Sequence, residues 1–317
     1  MSDVVVSTPL YDFSDEVRDA LHDGRPVVAL ESNVVAHGFR RPENVTIALE
    51  VEQAVRDGGA VPATIAVADG RVLVGANPAE LERLGTATGV AKVTTRDLAV
   101  ALARGGLGAT SIAATMAIAD RVGIATVASA GLGGVHRGAE TTMDISADLT
   151  ELARTRLLVV CAGVKKILDA GLTLEFLETQ GTPVIGFRHR GFPAFYCRES
   201  GYDTQVRIDD PHHLAEIARF HRHLPGTGSL LITHPIPAAD ALDGDAVEEA
   251  IRAALDRAAA ERVTGPAVTT FVLRAVDAAT GGAAAAANRA VLISTAAVAA
   301  EIEAARAALE QGVAHVG

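Results

Sequence analysis

A chain of 317 residues, 49% of them hydrophobic, can form one large α/β domain around a substantial buried core. Lys and Arg number 28 against 39 Asp and Glu, a net charge of −11, and aromatic residues make up 3% with no Trp, so a nucleic-acid polymer is not expected as a partner. Two cysteines, Cys161 and Cys197, exclude a disulfide scaffold and point to a reducing, cytoplasmic setting.

The N-terminal stretch MSDVVVSTPLYDFSDEV lacks the basic-then-apolar pattern of a signal peptide. Apolar runs are broken by Gly or charge before they reach a membrane-spanning length, so no membrane partner is expected. From there to the C-terminus, β-branched runs alternate with amphipathic stretches. That alternation predicts a three-layer α/β/α fold, a mostly parallel sheet with helices on both faces, over residues 1–317 as a single domain.

The first predicted strand, PVVALESNVV, carries Glu31, with no basic residue within five positions. A carboxyl in such surroundings has a raised pKa and serves as a general acid or base; capping of a nearby turn is the alternative. A helix follows Pro42-Glu43-Asn44. Next comes AVPATIAVADGRVLVG, whose Asp-Gly between alternating runs predicts a hairpin and an antiparallel strand. GVAKVTT carries Lys92 at a strand end, before a helix that follows Arg96-Asp97-Leu98. In GATSIAAT, Thr110 and Ser111 open a helix, where free amides hold a phosphate or the two side chains merely cap.

GIATVASAG leads into GLGGVHRGAE, which has four glycines but no helix opening directly after them, so a dinucleotide-binding turn is rejected. His136 and Arg137 there meet an anion or belong to an ordinary loop. DISAD, Asp144 to Asp148, offers hard oxygen ligands for Mg²⁺ or Mn²⁺, or a helix cap. RLLVVCAG then runs into Lys165 and Lys166, read as the first turn of a helix. Lysine occurs three times, at 92, 165 and 166, and arginine 25 times, so a lysine here suggests a need for a tunable amine. The helix dipole, Lys166 and partial burial would all favour a neutral Lys165 able to attack a carbonyl or anomeric carbon. A solvated i,i+4 pair with Asp169 is the alternative. TPVIGFR and SLLITHP complete the strands, and helices are expected at about 211–222, 246–262 and 284–310. His37, His234, His212 and His213 show no metal spacing. In an open α/β sheet ligands bind beyond the carboxyl ends of the strands, which here collect Glu31, Lys92, the Ala130-Gly131 turn and Lys165.

VVALESNVVAHG, GAVPATIAVADGRVLVG, AKVTTRDL, GLGGVHRGAETTMDISADLTELA, VVCAGVKKILDAGLTLEFLETQGTPVIGF and PAFYCRESG together resemble the pseudouridine-5′-phosphate glycosidase family, from about Val27 to the final helix. The resemblance implies that Lys165 captures C1′ of ribose as a ring-opened adduct while Glu31 supplies and removes protons. It further implies that Lys92, Thr110, Ser111, Ile112, Ser129, His136, Ser146, Ala147, Asp148 and Asn288 surround the substrate. Asp144 would bind Mn²⁺ or Mg²⁺, and the assembly would be a homotrimer. Departures from the family pattern fall where a uracil would lie: Asn33, Ser129-Ala130-Gly131, Arg40-Arg41 before Pro42, His234 before Pro235, and Ser294-Thr295. They favour the branch that attaches ribose 5-phosphate through carbon to an aromatic polyketide-type acceptor. The alternatives are release of uracil from pseudouridine 5′-phosphate and a non-catalytic sugar-phosphate sensor.

Overall fold

In the computed structural model, which describes residues 10–263 and 267–314, the β-branched runs are short, buried strands. Most of the N-terminal segment read above for a signal peptide lies outside the described residues. The strands are β1 (Tyr11–Phe13), β2 (Val27–Glu31), β3 (Val61–Ala68), β4 (Arg71–Val74), β5 (Ala91–Val93), β6 (Gly108–Thr110), β7 (Thr126–Ala128), β8 (Val135–His136), β9 (Leu158–Cys161), β10 (Leu168–Asp169), β11 (Val184–Phe187), β12 (Val206–Ile208) and β13 (Leu230–Thr233). Eleven form one sheet along the path β1-β4-β3-β2-β7-β9-β13-β11-β12, with β6 on β3 and β5 on β6; β8 and β10 make a separate antiparallel pair.

The central run β2-β7-β9-β13-β11 is parallel throughout. Its strands read as continuous apolar runs because helices cover both faces. The expected hairpin is present: Asp69 and Gly70 both take positive φ (53° and 79°), which lets β4 return antiparallel on β3. Ala283–Ala314 packs on both Glu43–Asp57 and Pro211–His223, and Ile112–Val122 packs on Ala147–Arg154.

Strand β2 is shorter than its sequence suggested. It stops at Glu31, and Asn33–His37 is helical, because the Ser32 hydroxyl accepts from the Thr110 amide at 2.9 Å and draws the chain aside. By length and composition the C-terminal helix could cross a membrane. Here it packs against the sheet, and it buries Glu303, which accepts from Thr126 Oγ1 at 2.6 Å and from Arg306.

Candidate active site

Three neighbouring strands deliver the chemistry. Glu31 ends β2, Ser129 follows β7, and Lys165 lies beyond β9. Ser129 Oγ donates to Glu31 Oε1 at 2.6 Å. Burial pushes the Glu31 carboxyl above the usual carboxylate range; the Lys165 ammonium and the Ser129 hydroxyl oppose this, Asp148 reinforces it, and Lys92 opposes it. Four side chains expected from the sequence thus act on one carboxyl, although Lys92 itself is exposed on β5.

Lys165 is not in the first turn of a helix. Leu132 N–H donates to Gly163 O at 2.8 Å, Lys165 N–H donates to Leu132 O at 3.1 Å, and β10 pairs with β8. These pairings hold residues 163–169 against the glycine loop, and the helix starts only at Ala170, where Asp169 accepts from the Leu172 amide at 2.9 Å. The helix-dipole argument for a neutral Lys165 therefore falls, and Asp169 caps a helix instead of pairing with the lysine. Gly163 makes the turn possible: its φ is 68°, and a Cβ there would lie 1.9 Å from the Pro193 carbonyl oxygen.

Asp148 joins two pieces of the site. Only 7% exposed, it accepts from the Ala113 amide at 3.0 Å and the Gly133 amide at 2.9 Å, tying the start of the Ile112–Val122 helix to the glycine loop. Ser146 caps its own helix by accepting from Asp148 N–H, and Ala147 is exposed beside it. Gly133 permits this approach, since a Cβ would meet Ser146 Oγ at 2.3 Å. Ser111 caps the Ile112 helix by accepting from Ala114 N–H. With Ala113 and Ala114 taken, the Ile112 amide is the free donor of that first turn among the described residues.

Thr110 does not face a ligand. It is fully buried, donates to Ile65 O at 2.6 Å and contacts the Ser32 and Thr115 hydroxyls, so it cross-links β6 to its neighbours. The glycine loop runs into β8 and a one-turn helix, Ala139–Thr142, which agrees with the rejected dinucleotide turn. Arg137 is no open anion site, because its guanidinium forks onto Glu248 at 2.6 and 2.9 Å.

His136 Nδ1 lies 3.8 Å from Asp144 Oδ2, and the His136 amide donates to Asp144 O at 3.0 Å. Asp144 is half-exposed; no group of three or more His, Cys, Asp or Glu forms a metal cluster among the described residues. Asn288 is partly buried on the C-terminal helix, and no hydrogen bond ties it to Glu31 or Lys165 among the described residues. Ser294 and Thr295 turn their hydroxyls back onto Val291 O at 3.1 and 2.9 Å, with Thr295 1% exposed, so they are helix-internal and not pocket groups.

Two features add to what the sequence singled out. Asn33, named above as a departure from the family pattern, has its Oδ1 buried without a donor two residues beyond Glu31, among the described residues. Burial pushes the Cys161 thiol up to about 12, which keeps it protonated and inert beside the site.

Residues 16–305 match the family described as Indigoidine synthase A like protein. A pseudouridine-5′-phosphate glycosidase of Dickeya dadantii (strain 3937) is 52% identical over 302 residues, covering 95% of this chain and 96% of that protein. One from Salinispora tropica is 49% identical over 294 residues, covering 92% and 91%. The crystal structure of the prealnumycin C-glycosynthase AlnA in complex with ribulose 5-phosphate superposes with a TM-score of 0.90 at 43% identity, over 96% of this chain and 99% of that one. An indigoidine synthase A-like protein from Thermotoga maritima gives 0.84 at 31% identity, over 93% and 96%. The expected resemblance and the mostly parallel α/β fold are both borne out, and the chain belongs to the indigoidine synthase A like family, an enzyme family of glycosidases and glycosynthases.

Proposed function

We propose that this protein is a cytoplasmic enzyme that makes or breaks the C–C bond between C1′ of ribose 5-phosphate and a nucleobase or aromatic aglycone, with pseudouridine 5′-phosphate as its first substrate. The observation that carries the reading is Glu31 at the end of β2, its carboxyl pushed above the usual range by burial, with Lys165 beyond β9 as the charge that most opposes this. A C-glycosidic bond has no heteroatom leaving group, so protonation alone cannot release the base. Glu31 protonates O4′ as the Lys165 amine bonds to C1′, breaking C1′–O4′ and opening the ring. The carboxylate then takes a proton from the adduct nitrogen and returns it to C5 of the base. The nitrogen lone pair forms the iminium as C1′–C5 breaks, and water releases ribose 5-phosphate and free lysine.

The Ile112 amide at a helix start, with Lys92 nearby, suits the phosphate. Ser129, His136, Ser146 and Asp148 would orient the sugar. Asp144 fits a hard divalent cation: one open carboxylate beside an imidazole leaves Mn²⁺ or Mg²⁺ to complete its shell with water and substrate oxygens. Such an ion supplies positive charge that orients the substrate. Chelation lowers turnover, Mn²⁺ restores it, and Asp144→Ala reproduces the loss; full activity of that variant removes the metal assignment.

Uracil release ranks first because relatives about half identical over nearly the whole chain are named for that substrate. Ser129-Ala130 and the orphan acceptor of Asn33 favour a second reading, C-ribosylation of an aromatic polyketide-type acceptor. Incubation with pseudouridine 5′-phosphate, and separately with ribose 5-phosphate plus uracil, followed by mass spectrometry, separates the readings. Fast uracil release supports the first, while sugar capture without uracil chemistry supports the second. Binding without any turnover or capture means a sugar-phosphate sensor. A homotrimer completes the proposal, and light scattering should give three times the 32.6 kDa chain mass.

A further inference from the structure

The turn bearing Lys165 is anchored on two sides by its own backbone. Its amide donates to Leu132 O at 3.1 Å, and its carbonyl accepts from Leu168 N–H at 2.9 Å. The next peptide is anchored differently. The Lys166 carbonyl accepts from Arg137 Nη2 at 3.1 Å, and the same guanidinium makes a two-pronged ion pair with Glu248, 111 residues away on the helix Gly244–Ala260. Both side chains are largely shielded, at 31% and 21% exposure, which distinguishes this pair from the chain's many surface ion pairs.

On that side the turn borders open space. A cavity of about 280 Å³, lined by Arg137, Lys166, Asp169, Tyr202 and Glu248 among others, lies against it. Without the guanidinium the Lys166 peptide has room to rotate, and rotation there swings the neighbouring lysine. We infer that Arg137 and Glu248 are positioning residues for Lys165: the pair fixes the Lys166 peptide and so aims the Lys165 amine at C1′. The inference rests on the function proposed above. It assigns neither residue contact with substrate. A displacement of roughly 1 Å in a reacting group costs on the order of a hundredfold in rate, so a clamp remote from the reacting atoms has a large kinetic effect.

The experiment compares the parent enzyme with Glu248→Gln and Arg137→Lys, the latter keeping the charge but losing the planar fork. Two readouts are taken on folded protein: amide hydrogen exchange of the peptide spanning 163–169, and the single-turnover rate of borohydride-trapped adduct from ribose 5-phosphate. The expected result is exchange at least tenfold faster and adduct formation at least tenfold slower, with half-saturation by ribose 5-phosphate changed less than threefold. Unchanged exchange overturns the clamp. Faster exchange with an adduct rate within twofold of the parent leaves a structural tether and overturns the positioning role. If the parent forms no adduct at Lys165, the proposed function fails and the positioning role with it, whereas the exchange result still reports whether the clamp exists.

Discussion

Asp148→Asn separates the carboxylate's two roles. The substitution keeps shape but leaves one acceptor oxygen for two backbone donors, the Ala113 and Gly133 amides at 3.0 and 2.9 Å. A hydrogen bond to a charged group contributes about 1.5–3 kcal/mol, and a negative charge at a helix N-terminus about 0.3–1 kcal/mol. Losing one such bond, the charge and part of the other bond should therefore cost roughly 2–4 kcal/mol of folding stability, because the site is 7% exposed and water cannot replace the lost partner. Urea unfolding measures it. The same change removes a charge that helps push the Glu31 carboxyl up, so the carboxyl should move toward its ordinary range. The proposed mechanism needs Glu31 protonated at the start, so activity should be lost as pH rises through its titration. The alkaline limb of the kcat/KM profile should then shift to lower pH. An unchanged urea midpoint and an unmoved limb, with ribose 5-phosphate binding lost, would refute the tether and leave Asp148 as a substrate contact alone.

Ser129→Ala should act in the opposite direction on the same limb. It removes the 2.6 Å hydrogen bond that favours the charged carboxylate, so the Glu31 carboxyl rises further and the alkaline limb moves to higher pH; a pH-rate profile decides. The linked stability has the same sign: a carboxyl raised in the folded state stabilises it below the unfolded value, and that contribution fades as pH rises through the folded one. Gly163→Ala forces a side chain into the left-handed region, roughly 1–2 kcal/mol by itself, and onto the Pro193 carbonyl. A large drop in thermal midpoint and loss of lysine capture are expected, and a parent-like melt would refute the account of the turn.

The parts of the fold legible in the sequence depend on local rules. The Asp69-Gly70 turn needs only a pair of residues tolerant of positive φ, and the buried strands β2, β9 and β13 announce themselves by composition. Glu31 could be placed because strand ends converge at one edge, and Ser129 through the family resemblance. The Lys165 turn could not, since its non-helical path is imposed by Leu132 and by β8, some thirty residues earlier, and Ala-Gly-Val-Lys-Lys alone reads as a helix start. Thr110 looked like a helix-start ligand, but its hydroxyl was claimed by Ile65, 45 residues away. The Asp148 bonds and the Arg137–Glu248 pair are likewise long-range, and no periodicity encodes them.

Lysine capture is the most direct test of the central claim. Incubating the enzyme with ribose 5-phosphate and borohydride, then mapping peptides by mass spectrometry, should place a reduced pentose-phosphate adduct on Lys165. Lys165→Arg should abolish it, because a guanidinium stays protonated. Adduct on Lys92 or Lys166 with Lys165 unmodified, or full turnover by Lys165→Arg, would contradict the account.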